Sequence, residues 1–365
     1  MNHTIEYSSE TLIISINPRV PFTKLGVYNN NKMIFLKNIK HAEHELSKLK
    51  ECAEQTDYRS NAIIEELKNL DIDLNSVRAV VTRGGLTKPL KSGVYKVNDQ
   101  MAIDLSECKH GKDVVNLGAL IVREIVKILP NAVPLVADPV TVDEYHELSR
   151  VTGLPEIERS SIFHALNQKA VARKFAKSTG KSYEEMNLII AHLGTGITVS
   201  AHEKGHVIDS TMGFDGDGPF SPTRAGSLPA GDLVRLCFSG KYSKDELLEK
   251  ISNKGGLMAH LGTPSALEVD RRVTEGDKKA AFIFEAMAYQ VSKSIGAMIP
   301  VLKGKVDAIL ITGAIAQSQW FIDKIMERIG TLSPVSIYPG ADEMEILALR
   351  ALDVLCGEEQ VREYK

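Results

Sequence analysis

The chain has 365 residues, 43% of them hydrophobic and 25% charged, and a net charge of −3. That is ordinary globular composition at a length that favours two domains, and the near-neutral balance excludes a broad basic field for nucleic acid. No uncharged apolar run reaches membrane-spanning length, and the four cysteines, Cys52, Cys108, Cys237 and Cys356, are far apart in sequence with no CxxC or Cys/His cluster, so neither a zinc site nor a disulfide frame is suggested.

The opening segment MNHTIEYSSE lacks the basic-then-apolar layout of a secretory leader, so a cytoplasmic protein with reduced thiols is expected. Thr11 to Asn17 reads as a strand, Pro18 to Phe22 as a turn, Thr23 to Tyr28 as a second strand and Lys32 to Leu36 as a third. His41 to Leu70 has helical period, with Leu46, Leu49 and Cys52 on one stripe. Val77 to Thr82 is a buried strand that ends in Arg83-Gly84-Gly85. A cation there sits at a strand's carboxyl end, where open α/β sheets bind ligands; an exposed arginine before a loop is the plainer alternative. Gly85 to Val97 reads as irregular surface and Asn116 to Leu129 as an amphipathic helix. Val133 to Ala137 is a buried strand followed by Asp138, which either serves polar chemistry or caps the next helix.

Ser160 to Lys177 reads as a helix carrying His164, Asn167, Lys169 and Arg173, and Ser182 with Glu185 fits a capping box. A lone helical histidine is more often a packing residue than a catalyst. Asn187 to Asp209 then repeats the opening plan of strand, turn, strand, turn, strand, with Gly194-Thr195-Gly196 at its first turn. Glycines at such a turn let the backbone approach a ligand, and successive N–H groups can cradle a phosphate; two ordinary hairpins would look the same. Thr211 to Pro229 is a Gly- and Pro-rich loop whose one basic residue is Arg224. Lys244 to Ile251 is a helix. Glu275 to Leu302 contains a longer one, with Ala280, Ala281, Phe284 and Ala288 on a side suited to close packing, a contact between subunits included. Val306 to Thr312 is a buried strand leading into Gly313-Ala314-Ile315-Ala316, an arrangement often found against nucleotides. Val335 to Tyr338 is the last strand, and the final helix opens at Asp342-Glu343. Strands alternating with helices in both halves predict α/β layering, with polar residues at strand carboxyl ends pointing to one shared cleft.

Four stretches carry a specific resemblance: GLPEIERSSIFHALNQKAVAR (153–173), GPFSPTRAGSLP (218–229), GDLVRLCFSGKYS and YPGADEMEILAL. They resemble the butyrate kinase family, which groups with acetate kinases and, more distantly, with sugar kinases and actin; the likeness runs almost end to end. It implies two duplicated actin-like, ribonuclease H-like domains of βββαβα plan with a cleft between them. Their expected extents are 1–155, joined by 342–365, and 156–341. It implies a homodimer or higher homo-oligomer that moves phosphate between ATP and a short-chain fatty acid with Mg2+, giving ADP and the acyl phosphate, with neither nucleic acid nor membrane as partner.

Carried over residue by residue, the resemblance gives Arg83 and Arg224 the carboxylate and the migrating phosphoryl group. Asp138 falls beside the substrate, and His164 and His192 contact that phosphoryl group. Asn17, Thr23, Lys24, Gly194, Thr195, Gly196, Gly313, Ala314 and Ile315 fall in the nucleotide loops, with Asn17 and Glu343 at the magnesium. Three departures lie in the nucleotide half. Arg19 to Phe22 replaces a glycine and hydroxyl-rich turn, Ser265 and Leu267 stand where relatives place an Asp-x-Arg pair, and Ala314 follows Gly313 in place of a second glycine. A relative with an eroded ATP site, acting as a sensor or dimer partner for a carboxylate or acyl phosphate, is the alternative these departures raise.

Overall fold

Runs of branched apolar residues decide where this chain extends. In the computed structural model, which describes residues 11–49, 51–340 and 342–365, the opening segment MNHTIEYSSE falls outside the described residues. Strands β1 (Leu12–Pro18), β2 (Phe22–Asn29) and β3 (Lys32–Lys40) form an antiparallel meander. Every residue of β1 is buried, whereas β3 is mostly exposed, which suits a centre strand and an edge strand respectively. β4 (Val77–Arg83) runs parallel to β1, and β6 (Val133–Ala137) parallel to β4. The short β5 (Val94–Lys96) pairs antiparallel with β6, inside the segment expected to be irregular, and the strand Arg362–Glu363 extends the seven-stranded sheet beyond it.

The second sheet repeats the first. β7 (Asn187–Leu193), β8 (Ile197–Glu203) and β9 (His206–Ser210) form the meander, and β10 (Ala308–Gly313) and β11 (Val335–Pro339) follow in parallel. The order β11-β10-β7-β8-β9 matches β6-β4-β1-β2-β3 strand for strand. The duplicated α/β plan expected from the sequence is therefore present.

The chain divides into two units, Met1–Val142 with Asp342–Lys365, and Asp143–Ala341. The division falls at Val142 rather than residue 155, because the following segment hangs on β9. Tyr145 donates its hydroxyl to Ser210 O at 2.8 Å, the His146 N–H bonds Ile208 O, and Arg159 pairs with Asp209. Each unit has its own core. In the first, Ile14, Ile16 and Val80 pack against Leu117, Ile121 and Ile125 of the helix Leu117–Ile125. In the second, Ile189, Val199 and Ile311 pack against Phe284, Met287 and Val291 of the helix Lys278–Val301.

Several helices differ from expectation. The span 41–70 holds two, Glu43–Leu46 and Cys52–Lys68, because Glu51 and Glu54 close a capping box that starts the second afresh. The helix expected from Ser160 begins only at Ala165. The Ser182–Glu185 box exists but caps a single 3-10 turn, Tyr183–Glu185. Helices Asp99–Ser106, Ala230–Cys237, Gly256–Leu261 and Ala266–Thr274 fill stretches where no helix was expected. Ala280, Phe284 and Ala288 are buried in the core of their own unit, so that side of the long helix is consumed within the chain.

Candidate active site

In the first unit, parallel pairing sets three strand ends side by side. Ile16 is opposite Thr82, and Arg83 is opposite Ala137, so Asn17, Arg83 and Asp138 leave the sheet at adjacent carboxyl ends. The helix Glu343–Leu355 packs on β1 and β4 and delivers Glu343 to the same end. Asn17 donates its side-chain amide to the Glu343 carboxylate, Arg19 pairs with the same carboxylate, and Arg83 Nη1 lies 3.6 Å from its other oxygen. Burial draws the Arg83 pKa below the usual guanidinium range, while Glu343 opposes that shift by favouring the charge. Asn17 is 2% exposed, and its Oδ1 has no hydrogen-bond partner among the described residues.

Asp138 has φ +37°, unusual for a residue with a side chain, and its carboxylate is fully engaged. Oδ1 accepts from Ser92 Oγ at 2.6 Å and from Gly93 N–H at 2.9 Å, and Oδ2 faces Arg350 Nε at 3.3 Å. Arg350 in turn pairs with Glu359 and Asp353. Burial works against the charge of Arg350, but Asp138 and Glu359 outweigh it and raise its pKa. Sequence reasoning missed Arg350; its signal was one cation between Leu347, Ala348, Ala351 and Leu352 on an otherwise apolar face.

The first turn rests on a second residue that was missed. Arg59, on the helix Cys52–Lys68, is 1% exposed and donates to Arg19 O at 2.9 Å, Val20 O at 3.1 Å and Thr23 Oγ1 at 3.1 Å. Thr23, expected in the nucleotide loop, is fully buried, and its hydroxyl is spent on Arg59 and on His41 Nε2 at 2.8 Å. Lys24 is half-buried on β2 opposite Asn17. Because a trans peptide sets C=O and N–H on opposite sides, holding Arg19 O inward turns the Val20 N–H outward.

The second unit gathers a separate set. His192, next to last in β7, lies opposite Thr312 of β10, so the turns 194–196 and 313–315 leave neighbouring strands at one end. His164 stacks on His192 with ring centroids 4.2 Å apart. Gly196 lies under Arg224: a methyl there would come within 2.8 Å of the Arg224 Cζ and 3.3 Å of His164 Cε1. Arg224 donates to Gly213 O and lies over the Phe214 ring at 5.8 Å. Its loop is tied to the turn by Ser221 Oγ, which donates to Thr195 O at 2.6 Å. His164, His192, Gly194, Thr195, Gly196 and Arg224 are thus brought together.

Gly313 adopts φ +103°, and a side chain there would meet Leu193 O at 2.3 Å, so the obligatory glycine of this turn is retained. Ala314 is exposed in a 3-10 turn that tolerates a methyl, and Ile315 is buried beside it. Ser265 caps the helix Ala266–Thr274 by accepting from Glu268 N–H, and Leu267 is 80% exposed. Among the described residues no three His, Cys, Asp or Glu gather into a metal cage, and no helix is long and apolar enough to cross a membrane.

Comparison with known proteins follows this geometry. The sequence profile of the acetokinase family matches residues 156–334. Butyrate kinase 2 of Clostridium acetobutylicum is 45% identical over 97% of this chain and 99% of its own length, and butyrate kinase 1 of the same organism is 47% identical over the same shares. A probable butyrate kinase of Bacteroides thetaiotaomicron is 46% identical. Among solved structures, an acetate kinase of Porphyromonas gingivalis superposes with TM-score 0.72 at 17% identity, covering 94% of this chain and all of that one. A propionate kinase of Francisella tularensis gives 0.73 at 17%, covering 93% and 98%; this chain shares its fold with both. The chain belongs to the butyrate kinases of the acetokinase family.

Proposed function

We propose that this chain transfers a phosphoryl group reversibly between ATP and butyrate or a similar short-chain fatty acid. The observation that carries this is the identity of 45–47% with butyrate kinases over 97% of the chain. An oxygen of the ionised acid attacks the γ-phosphorus, the bond to the β,γ-bridging oxygen breaks, and ADP leaves. The carboxylate is already charged at pH 7, so the step needs positioning and positive charge rather than a strong base. Arg83 and Arg224 supply planar donors suited to carboxylate and phosphoryl oxygens. His164 and His192 supply imidazole donors. Asp138, with both oxygens engaged, orients the β6 end rather than abstracting a proton.

ATP is expected at the turns 194–196 and 313–315 of the second unit; the first turn, with Lys24, Arg19 and the Val20 N–H, is the corresponding phosphate turn of the first. Thr23, expected in the nucleotide loop, is instead a brace of the turn: its hydroxyl is committed to Arg59 and His41 and its backbone lies between β1 and β3. Mg2+, when bound, neutralises phosphate oxygens. Asn17 Oδ1, buried with no partner among the described residues, and the Glu343 carboxylate are the oxygen donors that would hold it, which suits a hard cation that takes oxygen ligands. The alternative of an eroded nucleotide site is disfavoured. Arg19 carries its charge to Glu343, Ala314 is exposed, and Ser265 has a capping role. We place the protein in the cytoplasm as a homodimer; exposed Phe238 and Phe282 on the second unit support a partner surface, which light scattering would test.

A hydroxamate assay with butyrate, ATP and Mg2+ tests the reading. Wild type should form butyryl phosphate, and Arg224→Ala should lose about a hundredfold or more in rate. Equal inactivity of the two proteins would overturn it.

A further inference from the structure

A buried polar chain runs behind His164 and leads away from the reacting groups. Tyr183 OH lies 2.6 Å from His202 Nδ1, and His202 Nε2 lies 2.9 Å from Gln168 Oε1. Gln168 Nε2 donates to Thr198 Oγ1 at 2.9 Å and to the Thr198 carbonyl at 3.3 Å, and Thr198 Oγ1 lies 2.8 Å from His164 Nδ1. Gln168, Thr198 and His202 are fully buried on the helix Ala165–Ser178 and on β8.

The direction of every donor in this chain follows from one atom. A main-chain carbonyl can only accept, so the end of the Gln168 amide facing Thr198 O must be its NH2. Its oxygen therefore faces His202, which must carry its proton on Nε2 and accept from Tyr183 on Nδ1. His202 is neutral, since burial first and Lys169 second hold its pKa well below the usual imidazole value. The Thr198 hydroxyl accepts from Gln168, whose NH2 cannot accept in return. The acceptor left for the Thr198 O–H is His164 Nδ1.

We propose that Gln168 and Thr198 are positioning residues that hold His164 as the neutral tautomer protonated on Nε2. This rests on the kinase reading only for its consequence. There, His164 meets the migrating phosphoryl group as an uncharged N–H donor, and the positive charge comes from Arg83 and Arg224. A uniformly oriented chain of donors strengthens each bond in it and fixes the ring against flipping, which a solvent-held imidazole lacks.

The test is long-range 15N–1H NMR of the full chain with 15N-labelled histidine, the His164 signals being identified by their loss in His164→Asn. In wild type, Nδ1 should show the shift of an unprotonated acceptor nitrogen and Nε2 that of a protonated one. Thr198→Val keeps the size and β-branching of the side chain but removes the hydroxyl. It should leave a mixture of tautomers and lower kcat by about tenfold or more with little change in KM for butyrate, as expected for a donor used in the transition state. Thr198→Ser should restore both readouts, and Gln168→Met should behave as Thr198→Val does. A proton on Nδ1 in wild type, or an unchanged tautomer in Thr198→Val, would overturn the proposal. Because the tautomer is read without turnover, an inactive wild type with Nε2 protonated would sink the kinase reading and leave this one standing.

Discussion

A guanidinium taken out of water is costly unless it finds acceptors, and Arg59 finds two in the backbone of the first turn and one in the Thr23 hydroxyl, its Nε alone having no partner among the described residues. Arg19 to Phe22 form this turn without a glycine, and a buried cation braces it from behind. The same cation acts on His41. Burial first, and Arg59 second, lower the His41 pKa to about 4, so the folded state requires the neutral ring that hydrogen-bonds Thr23. Its folded pKa lies below the ordinary value of about 6.5. The resulting stability is therefore fully present above pH 6.5 and is lost as pH falls towards 4. Discounted for incomplete burial, the loss is on the order of 1–2 kcal/mol. Urea unfolding at pH 7 and pH 4.5 should show it, and His41→Gln should flatten the pH dependence by about that amount. An unchanged slope in the variant would show that His41 is not the group involved.

At the level of elements, the turn after β10 shows which of its two small residues is held to glycine. Gly313 holds φ +103° against the Leu193 carbonyl, so Gly313→Ala forces both a strained backbone and a displacement of β7. We expect it to cost about 2–3 kcal/mol in urea unfolding. Ala314→Gly, one residue on, should change stability by less than about 1 kcal/mol, because the methyl faces solvent. Equal effects at the two positions would contradict this account. The same turn sits beside Gly194-Thr195-Gly196 because β10 and β7 pair in parallel, and a one-residue slip would exchange Ile189 and Ile311, which fill one core, with Leu188, Ile190 and Leu310, which fill the core on the other face.

For the whole molecule, the first unit is built from both ends of the chain. Met344, Leu347, Ala348, Ala351 and Leu352 are buried in it, and Arg350 reaches Asp138. Burying a Leu or Met side chain contributes about 1.5–3 kcal/mol, so losing this helix removes an amount comparable to a domain's net stability. A chain ending at Gly340 should lose hydrogen-exchange protection in β1, β4 and β6. β7 and β10 should keep it, since their core uses no residue beyond position 340. Retained protection in β4 would disprove the dependence.

Hydrophobic period and turn residues are local properties, so the sequence alone determined the strands, most helices, the duplication and the family, and placed Arg83, Asp138, His192 and Gly313 at strand ends. Partners far apart along the chain are not local. Only the tertiary structure decided that Thr23 and Asp138 are committed to Arg59 and Arg350, that Asn17 Oδ1 is left over, and that Gln168 and Thr198 stand behind His164. The physical reason is that a hydrogen bond or ion pair consumes a group's capacity for a ligand, and which group is consumed depends on what folding brings within about 3 Å of it.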